Sequence, residues 1–372
     1  MKKFKKILLI FLIIIIIIGG IVYLLLRSTR PQLKGKIVVS EGLKENVLIK
    51  RNDYGIPLIE ANSFPDVLFT VGFLHASDRL FQMELSRRNA FGQLSEIVGE
   101  IALDHDKQQK RLMIEESVQR EAKKVPASLK ELVESYCEGV NYFINNKKLP
   151  PEFTLLGFKP EPWELKDSFS ILKNIQLMLE GSGSELHNFF LIQAFGKEDS
   201  QIFRAGEHEY SPIIKESELD SAFTNKMLLS LLEQERQISE LNIGSNSWVI
   251  SGVHTLTGEP ILANDPHLSC MFPSYFYQIK AIFEDRELSG NTLPGVPFVV
   301  IGRNETIAWG FTNVGTDVID YSILKINPEN ENQYLVDGNW MDFETITKTI
   351  PVKKQEDVVI KVKNSLYGPV IN

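Results

Sequence analysis

The chain opens with a basic cluster, Lys2, Lys3, Lys5 and Lys6, ahead of an uncharged run from Ile7 to Leu26 that Arg27 and Arg30 close. A helix of about twenty residues rises by about 30 Å, the thickness of a bilayer's hydrocarbon core. The run is longer than the apolar part of a cleaved signal peptide, and no Ala-x-Ala pattern follows it. It therefore predicts an uncleaved signal anchor, with late cleavage as the alternative. The lysines predict that the N-terminus stays cytoplasmic and the remainder faces outward.

Beyond a short tether at 30–36, the apolar pairs Val38-Val39 and Val47 to Arg51 predict two strands about a polar turn. Leu58 to Ala61 resumes an extended segment after the Asp53 to Pro57 turn. The period then changes. From Ser63 to Arg88 the residues Val67, Val71, Leu74, Leu80, Met83 and Leu85 recur three or four apart, as on helices facing a core. Helical spacing continues over 127–145 and 167–196, with a proline-rich loop from Pro150 to Trp163 between them. Residues 205–244 are acidic and polar, with one amphipathic stretch near Lys226 to Glu240, and read either as a surface linker or as a removable spacer. From Ser245 onward short strands alternate with Gly, Pro, Asn and Asp turns: 247–251, 260–263, 275–283, 298–301 and 306–312. The pattern thus divides the chain into an anchor (1–30), a mainly helical region (31–204), a spacer (205–244) and a β-rich region (245–372).

Composition narrows the partners. The chain has 372 residues, 43% hydrophobic and 24% charged, enough for real cores rather than disorder. Without residues 1–30 it carries 34 basic and 48 acidic side chains, a net charge of -14, which argues against nucleic acid as a partner. Cys137 and Cys270 are the only cysteines. They form either one bridge or, as we expect, two separate buried thiols.

One tripeptide carries candidate chemistry. If the Gly244-Ser245 bond were cut, Ser245 would join a nucleophilic hydroxyl to a free α-amine, whose reference pKa of about 7.7–8.0 keeps a fraction of it neutral near neutral pH. The amine can take the hydroxyl proton, so no separate base is needed. Taken alone, Gly-Ser-Asn is also an ordinary turn.

The surrounding segments decide between these readings. Arg30 to Gly35, Arg51 to Pro57, Gly72 to Met83, Leu149 to Phe153, Pro160 to Trp163, Ser245 to Gly252, Asn264 to His267 and Gly290 to Gly295 stand in the order of one family. Together they resemble the penicillin acylase (penicillin amidase) family of N-terminal-nucleophile hydrolases. The resemblance implies an α+β fold, an αββα sandwich with a mainly helical N-terminal chain, and a precursor that cuts itself into an α/β heterodimer. It implies an amidohydrolase acting on the amide bond of penicillin-like or other N-acylated amines through an acyl-enzyme. N-acyl homoserine lactone acylases are the nearest enzymatic alternative, and an inert exported fragment is the alternative of a different class. No Gly-x-Ser-x-Gly elbow surrounds Ser245, which disfavours a conventional Ser-His-Asp hydrolase.

Carried over residue by residue, Ser245 matches the nucleophile, and Gly244-Ser245 the self-cleavage bond. Asn313, at the end of Trp309 to Asn313, matches the backbone N–H of the oxyanion hole, with no role for its side chain. His267 falls beside the nucleophile in an Asn-x-Pro-x turn. Met178 and Leu179 fall where the family shapes its acyl pocket. Glu185, Asp317, the Ile319 carbonyl and Asp320 match a Ca²⁺ cluster, whose hard oxygens suit that ion; no organic cofactor is implied. The family's second oxyanion donor is an asparagine side chain well over two hundred residues beyond the nucleophile, whereas Asn372 is the last residue here. The resemblance therefore implies the N-terminal part of a longer acylase, incomplete at its C-terminus.

Overall fold

The computed structural model describes residues 2–179, 191–192, 196, 244–313 and 319–371. The spacer at 205–243, the amphipathic stretch near Lys226 to Glu240, Glu185 and Asp317 lie outside the described residues. Helix α1 (Lys2–Ser28) is the one helix among them long and apolar enough to cross a membrane.

The helical region is organised by α2 (Phe64–Phe91). Its start is fixed locally: the Ser63 hydroxyl accepts from Asp66 N–H, and proline occupies the first turn, where a missing N–H costs nothing. The Asp66 carboxylate accepts a bond from Lys44 N–H at 2.8 Å, fastening the bend that leads into the first strand. At the other end Gly92 takes a left-handed conformation, φ 59°, that closes the helix. The short helices α3 (Ser95–Val98), α4 (Leu103–Arg111) and α5 (Ile114–Ala122) follow, then α6 (Ala127–Asn146), α7 (Pro151–Leu156) and α8 (Leu165–Leu179).

Helices α2 and α6 touch backbone to backbone. A Cβ on Gly72 would fall 2.1 Å from Tyr136 O, and one on Gly139 would fall 1.9 Å from Phe69 O. Glycine at both positions is what allows the approach. Beneath these helices lies a six-stranded sheet in the order β1-β2-β5-β6-β7-β8. It joins β1 (Leu48–Arg51) and β2 (Pro57–Ala61) from before the helices to β5 (Tyr277–Phe283), β6 (Arg286–Thr292), β7 (Val299–Asn304) and β8 (Ala308–Trp309) from after Ser245. The join is the parallel pair β2–β5, with Leu58 opposite Lys280; the remaining pairs are antiparallel. The main core is shared accordingly, with Ile59, Val71, Met83, Tyr136, Trp163, Ile279 and Ala281 all buried in it.

Two polar networks lock this frame. His75 is fully buried. The Tyr136 hydroxyl accepts Gly295 N–H at 3.0 Å and so has only its own proton to give to His75 Nδ1, 2.9 Å away. Thr292 Oγ1 gives its proton to Tyr277 O and accepts from His75 Nε2 at 2.8 Å. The imidazole is therefore neutral with its proton on Nε2; burial pushes its pKa down to about 3, helped by the Arg79 charge. In the second network Glu84, Arg87 and Arg88 are buried on α2. Glu84 pairs with both arginines, Arg87 reaches Asp167 on α8 at 3.2 Å, and Arg88 reaches Glu96 at 2.6 Å. Burial raises the Asp167 pKa against the pull of Arg87.

Smaller sheets complete the α+β fold: a two-stranded ribbon, a sheet of β9 (Ile326–Asn327), β10 (Asn330–Val336) and β11 (Asn339–Asp342) with β10 central, and a sheet of β12 (Glu344–Ile350), β13 (Val358–Ser365) and β14 (Gly368–Pro369) with β13 central. Ribbon β3 (Gly244–Ile250) and β4 (Ile261–His267) leaves Trp248, Val249 and Ile261 at least half exposed. Several expectations need correction. Val38-Val39 forms no strand; Val38 is exposed and its carbonyl accepts from the Tyr142 hydroxyl of α6 at 2.8 Å. The expected 306–312 strand shrinks to Ala308–Trp309. The Asn264–His267 turn is instead the end of β4. Proline is tolerated there because β4 lies at an edge of a two-stranded ribbon. Cys137 is a buried free thiol, but Cys270, in an irregular segment after β4, is exposed, so neither a bridge nor two buried thiols is found.

Candidate functional site

The site is built on the ribbon. Antiparallel register sets Gly244 opposite His267, Ser245 opposite Pro266, Asn246 opposite Asp265 and Ser247 opposite Asn264. The residues singled out from sequence at 244–245 and 267 thus meet at one ribbon end, although twenty-two positions separate Ser245 from His267. The imidazole stands against Gly244: a Cβ built there would lie 3.6 Å from His267 Nδ1. Its Nε2 is 2.9 Å from the Asp265 carboxylate and 3.3 Å from Asn246 Nδ2.

The third component comes from the segment after β8. Asn313 N–H donates to Ser245 Oγ at 3.2 Å across a separation of 68 residues. Ser245 is half-buried, and Asn313 is exposed. A donor that meets the hydroxyl oxygen here also lies next to any oxyanion that forms on a carbon bonded to that oxygen. The Asn313 side chain is engaged as well: Nδ2 donates to Leu179 O, the last residue of α8, at 2.6 Å. The helical region before Ser245 therefore holds the N–H donor that faces its hydroxyl. In turn α8 is tied to α2 by Arg87–Asp167 and by Asn174, whose Nδ2 donates to Ser86 O at 2.6 Å.

Asn264 is the residue that sequence reasoning left without a role. Its Nδ2 donates to Asn246 O at 3.1 Å and to Phe311 O at 3.0 Å, and its Oδ1 accepts Phe311 N–H at 3.2 Å. This amide bonds both backbone groups of Phe311, two residues past the end of β8, as a partner strand would. Nothing in the sequence signalled it, because an asparagine just ahead of Asp265-Pro266 reads as a turn former.

Leu179 also lines a cavity of about 960 Å³, together with Ile175, Leu177, Asn313, Ile319 and Leu366; Met178 is not in its lining. Of the implied calcium donors, Ile319 and Asp320 are described, half-buried and exposed respectively. The four donors are all oxygens, carboxylates and one carbonyl, which fits Ca²⁺. Among the described residues no group of three or more His, Cys, Asp or Glu side chains could hold a metal.

Comparison with known proteins gives the frame for this geometry. A family model described as penicillin amidase matches residues 46–372. The acyl-homoserine lactone acylase QuiP of Pseudomonas syringae pv. syringae (strain B728a) is 31% identical over 89% of this chain and 42% of its own length. The penicillin acylase 2 proenzyme of Pseudomonas sp. (strain SE83) is 29% identical over 93% of this chain and 46% of its own length. A thermostable penicillin G acylase structure from Alcaligenes faecalis aligns with 46% of this chain and 96% of its own, at 22% identity and a TM-score of 0.37. The chain spans less than half the length of the curated relatives it matches.

Proposed function

This chain belongs to the penicillin amidase family, and from that premise we propose that it is the nucleophile-bearing part of a self-processing acylase. Ser245 Oγ attacks the Gly244 carbonyl carbon, and the C–N bond breaks as its nitrogen takes the proton. An ester and a free α-amine result. Water opens the ester, leaving a carboxylate on Gly244 and Ser245 as a new N-terminus. The observation that carries this reading is the 3.2 Å contact from Asn313 N–H to Ser245 Oγ.

In turnover the freed amine accepts the Ser245 hydroxyl proton, and the oxygen attacks the amide carbon of an N-acylated amine. Asn313 N–H then stabilises the tetrahedral oxyanion, a kind of interaction worth about 10²–10³ in rate for a single donor. The amine leaves with a proton, and water releases the acid from the acyl-enzyme. Penicillins and N-acyl homoserine lactones both present such an amide. Leu179, with Ile175 and Leu177 beside it in the cavity wall, would receive the acyl group, and His267 would orient the groups about the scissile bond. Glu185, Asp317, Ile319 and Asp320 would hold Ca²⁺, which contributes cohesion between the processed chains. Helix α1 would anchor the protein with its bulk outside the cytoplasm.

The test is mass spectrometry of the processed chain after incubation with a series of N-acyl anilides. An acyl adduct on the peptide beginning at Ser245 supports the reading. Amide cleavage that persists in Ser245→Ala, or an adduct elsewhere, overturns it.

A further inference from the structure

The Asn313 donor sits on a segment with little regular structure of its own. Pairing between β7 and β8 ends at Trp309, and residues 310–313 belong to no strand. A donor must nevertheless be held to within a few tenths of an ångström to contribute to a transition state. Something other than a sheet ladder must supply that precision.

Asn264 occupies the required place. Its side chain bonds both backbone groups of Phe311, two residues before Asn313, and also the carbonyl of Asn246, the residue after the nucleophile. The amide orientation follows from the network, because the opposite one would set the NH₂ group against Phe311 N–H and the oxygen against two carbonyls. The approach is close. A Cβ on Gly310 would fall 2.7 Å from both Cβ and Cγ of Asn264, so only glycine lets the segment come this near. One side chain thus spans the nucleophile's strand and the donor's segment. The second tether of that segment is Asn313 Nδ2 to Leu179 O.

We propose that Asn264 is a positioning residue of this site: its amide sets the separation between Ser245 Oγ and Asn313 N–H, with Gly310 providing the space for it. The proposal rests on Ser245 being the nucleophile. Asn264 acts through the backbone of Phe311 and touches no reacting atom. Its loss therefore misaligns a donor without removing it, and the expected effect lies at or below the 10²–10³ of complete donor loss.

Three variants of the full chain test this. Asn264→Ala removes all three bonds. Asn264→Asp retains the acceptor for Phe311 N–H and loses both donated bonds. Gly310→Ala leaves Asn264 intact and pushes the segment away. Two readouts are taken with the thermal midpoint as a folding control: the first-order rate of Gly244-Ser245 cleavage, and hydrogen exchange of peptides covering 310–313. Expected are a rate reduced about 10- to 100-fold in Asn264→Ala and Gly310→Ala, an intermediate loss in Asn264→Asp, and faster exchange confined to 310–313. A rate within twofold of wild type, or unchanged exchange at 310–313 in Asn264→Ala, overturns the proposal. So does a rate loss accompanied by a general rise in exchange, which is the mark of a merely structural role. If the wild-type chain does not cleave itself, the nucleophile reading fails on its own, and the exchange comparison still decides whether Asn264 holds the segment.

Discussion

Replacing Gly139 by alanine sets two physical effects against each other. Helix propensity alone favours alanine by about 0.8–1 kcal/mol in the middle of a helix such as α6. The structure opposes it. The new Cβ would lie 1.9 Å from Phe69 O, 2.8 Å from Phe69 C and 3.0 Å from Phe73 N, all backbone atoms of α2. A carbon–oxygen contact relaxes only at about 3.3 Å, so the helices must part by roughly 1.4 Å. Val71, Val140 and Tyr136 are fully buried along this crossing and would lose contact with their neighbours. Overpacking of this kind costs about 1–3 kcal/mol where side chains can give way, and backbone cannot, so the upper value applies. The net expectation is a loss of about 2 kcal/mol, or about 4–8 °C in Tm for a region of this size. Thermal unfolding of the detergent-solubilised chain, followed by circular dichroism, measures it. Gly72→Ala should behave similarly, and the double variant should lose less than the sum, since one separation of the helices relieves both clashes. An unchanged or raised Tm in Gly139→Ala would refute the close crossing.

Other consequences follow from the buried polar groups and the site. Glu84→Gln leaves two buried arginines short of a counter-charge and should cost about 3 kcal/mol, read as a lower urea midpoint. His75 has a depressed folded-state pKa of about 3, so the unfolded chain takes up a proton that the folded chain refuses. Its stability contribution is present above the ordinary histidine pKa and falls as pH drops toward 3, by up to about 1.4 kcal/mol per pH unit. His75→Gln should flatten that slope in unfolding measured between pH 7 and pH 5. If Ca²⁺ binds the processed chain, EDTA should lower Tm and excess Ca²⁺ restore it, by about 2.7 kcal/mol of stability at a hundredfold excess over Kd; an unchanged Tm would remove calcium from the account.

What the sequence made legible was local or periodic. The apolar stripe of 63–88 foretold α2, the strands expected at 275–283 and 298–301 are found at 277–283 and 299–304, and the lysines ahead of Ile7 marked α1. Ser245, His267 and Asn313 were found through the resemblance, and the register of β3 and β4 together with one hydrogen bond brings them to one place. Illegible features depended on partners far along the chain. Asn264 reads as a turn former until Phe311 is seen against it, and nothing near His75 announces Tyr136 and Thr292 as its partners. Cys270 misled because residue type alone favours burial, whereas the irregular segment after β4 leaves its thiol exposed. The function of Gly72 and Gly139 appears only when two backbones are placed in contact.

The central claim is that Ser245 cuts its own chain. Intact-mass analysis and N-terminal sequencing of the expressed protein, beside Ser245→Ala, test it most directly. Expected are a second chain beginning Ser245-Asn246-Ser247 in the wild type and an uncut Ser245→Ala. A folded wild-type chain that stays whole, or a cut that survives in Ser245→Ala, would contradict it.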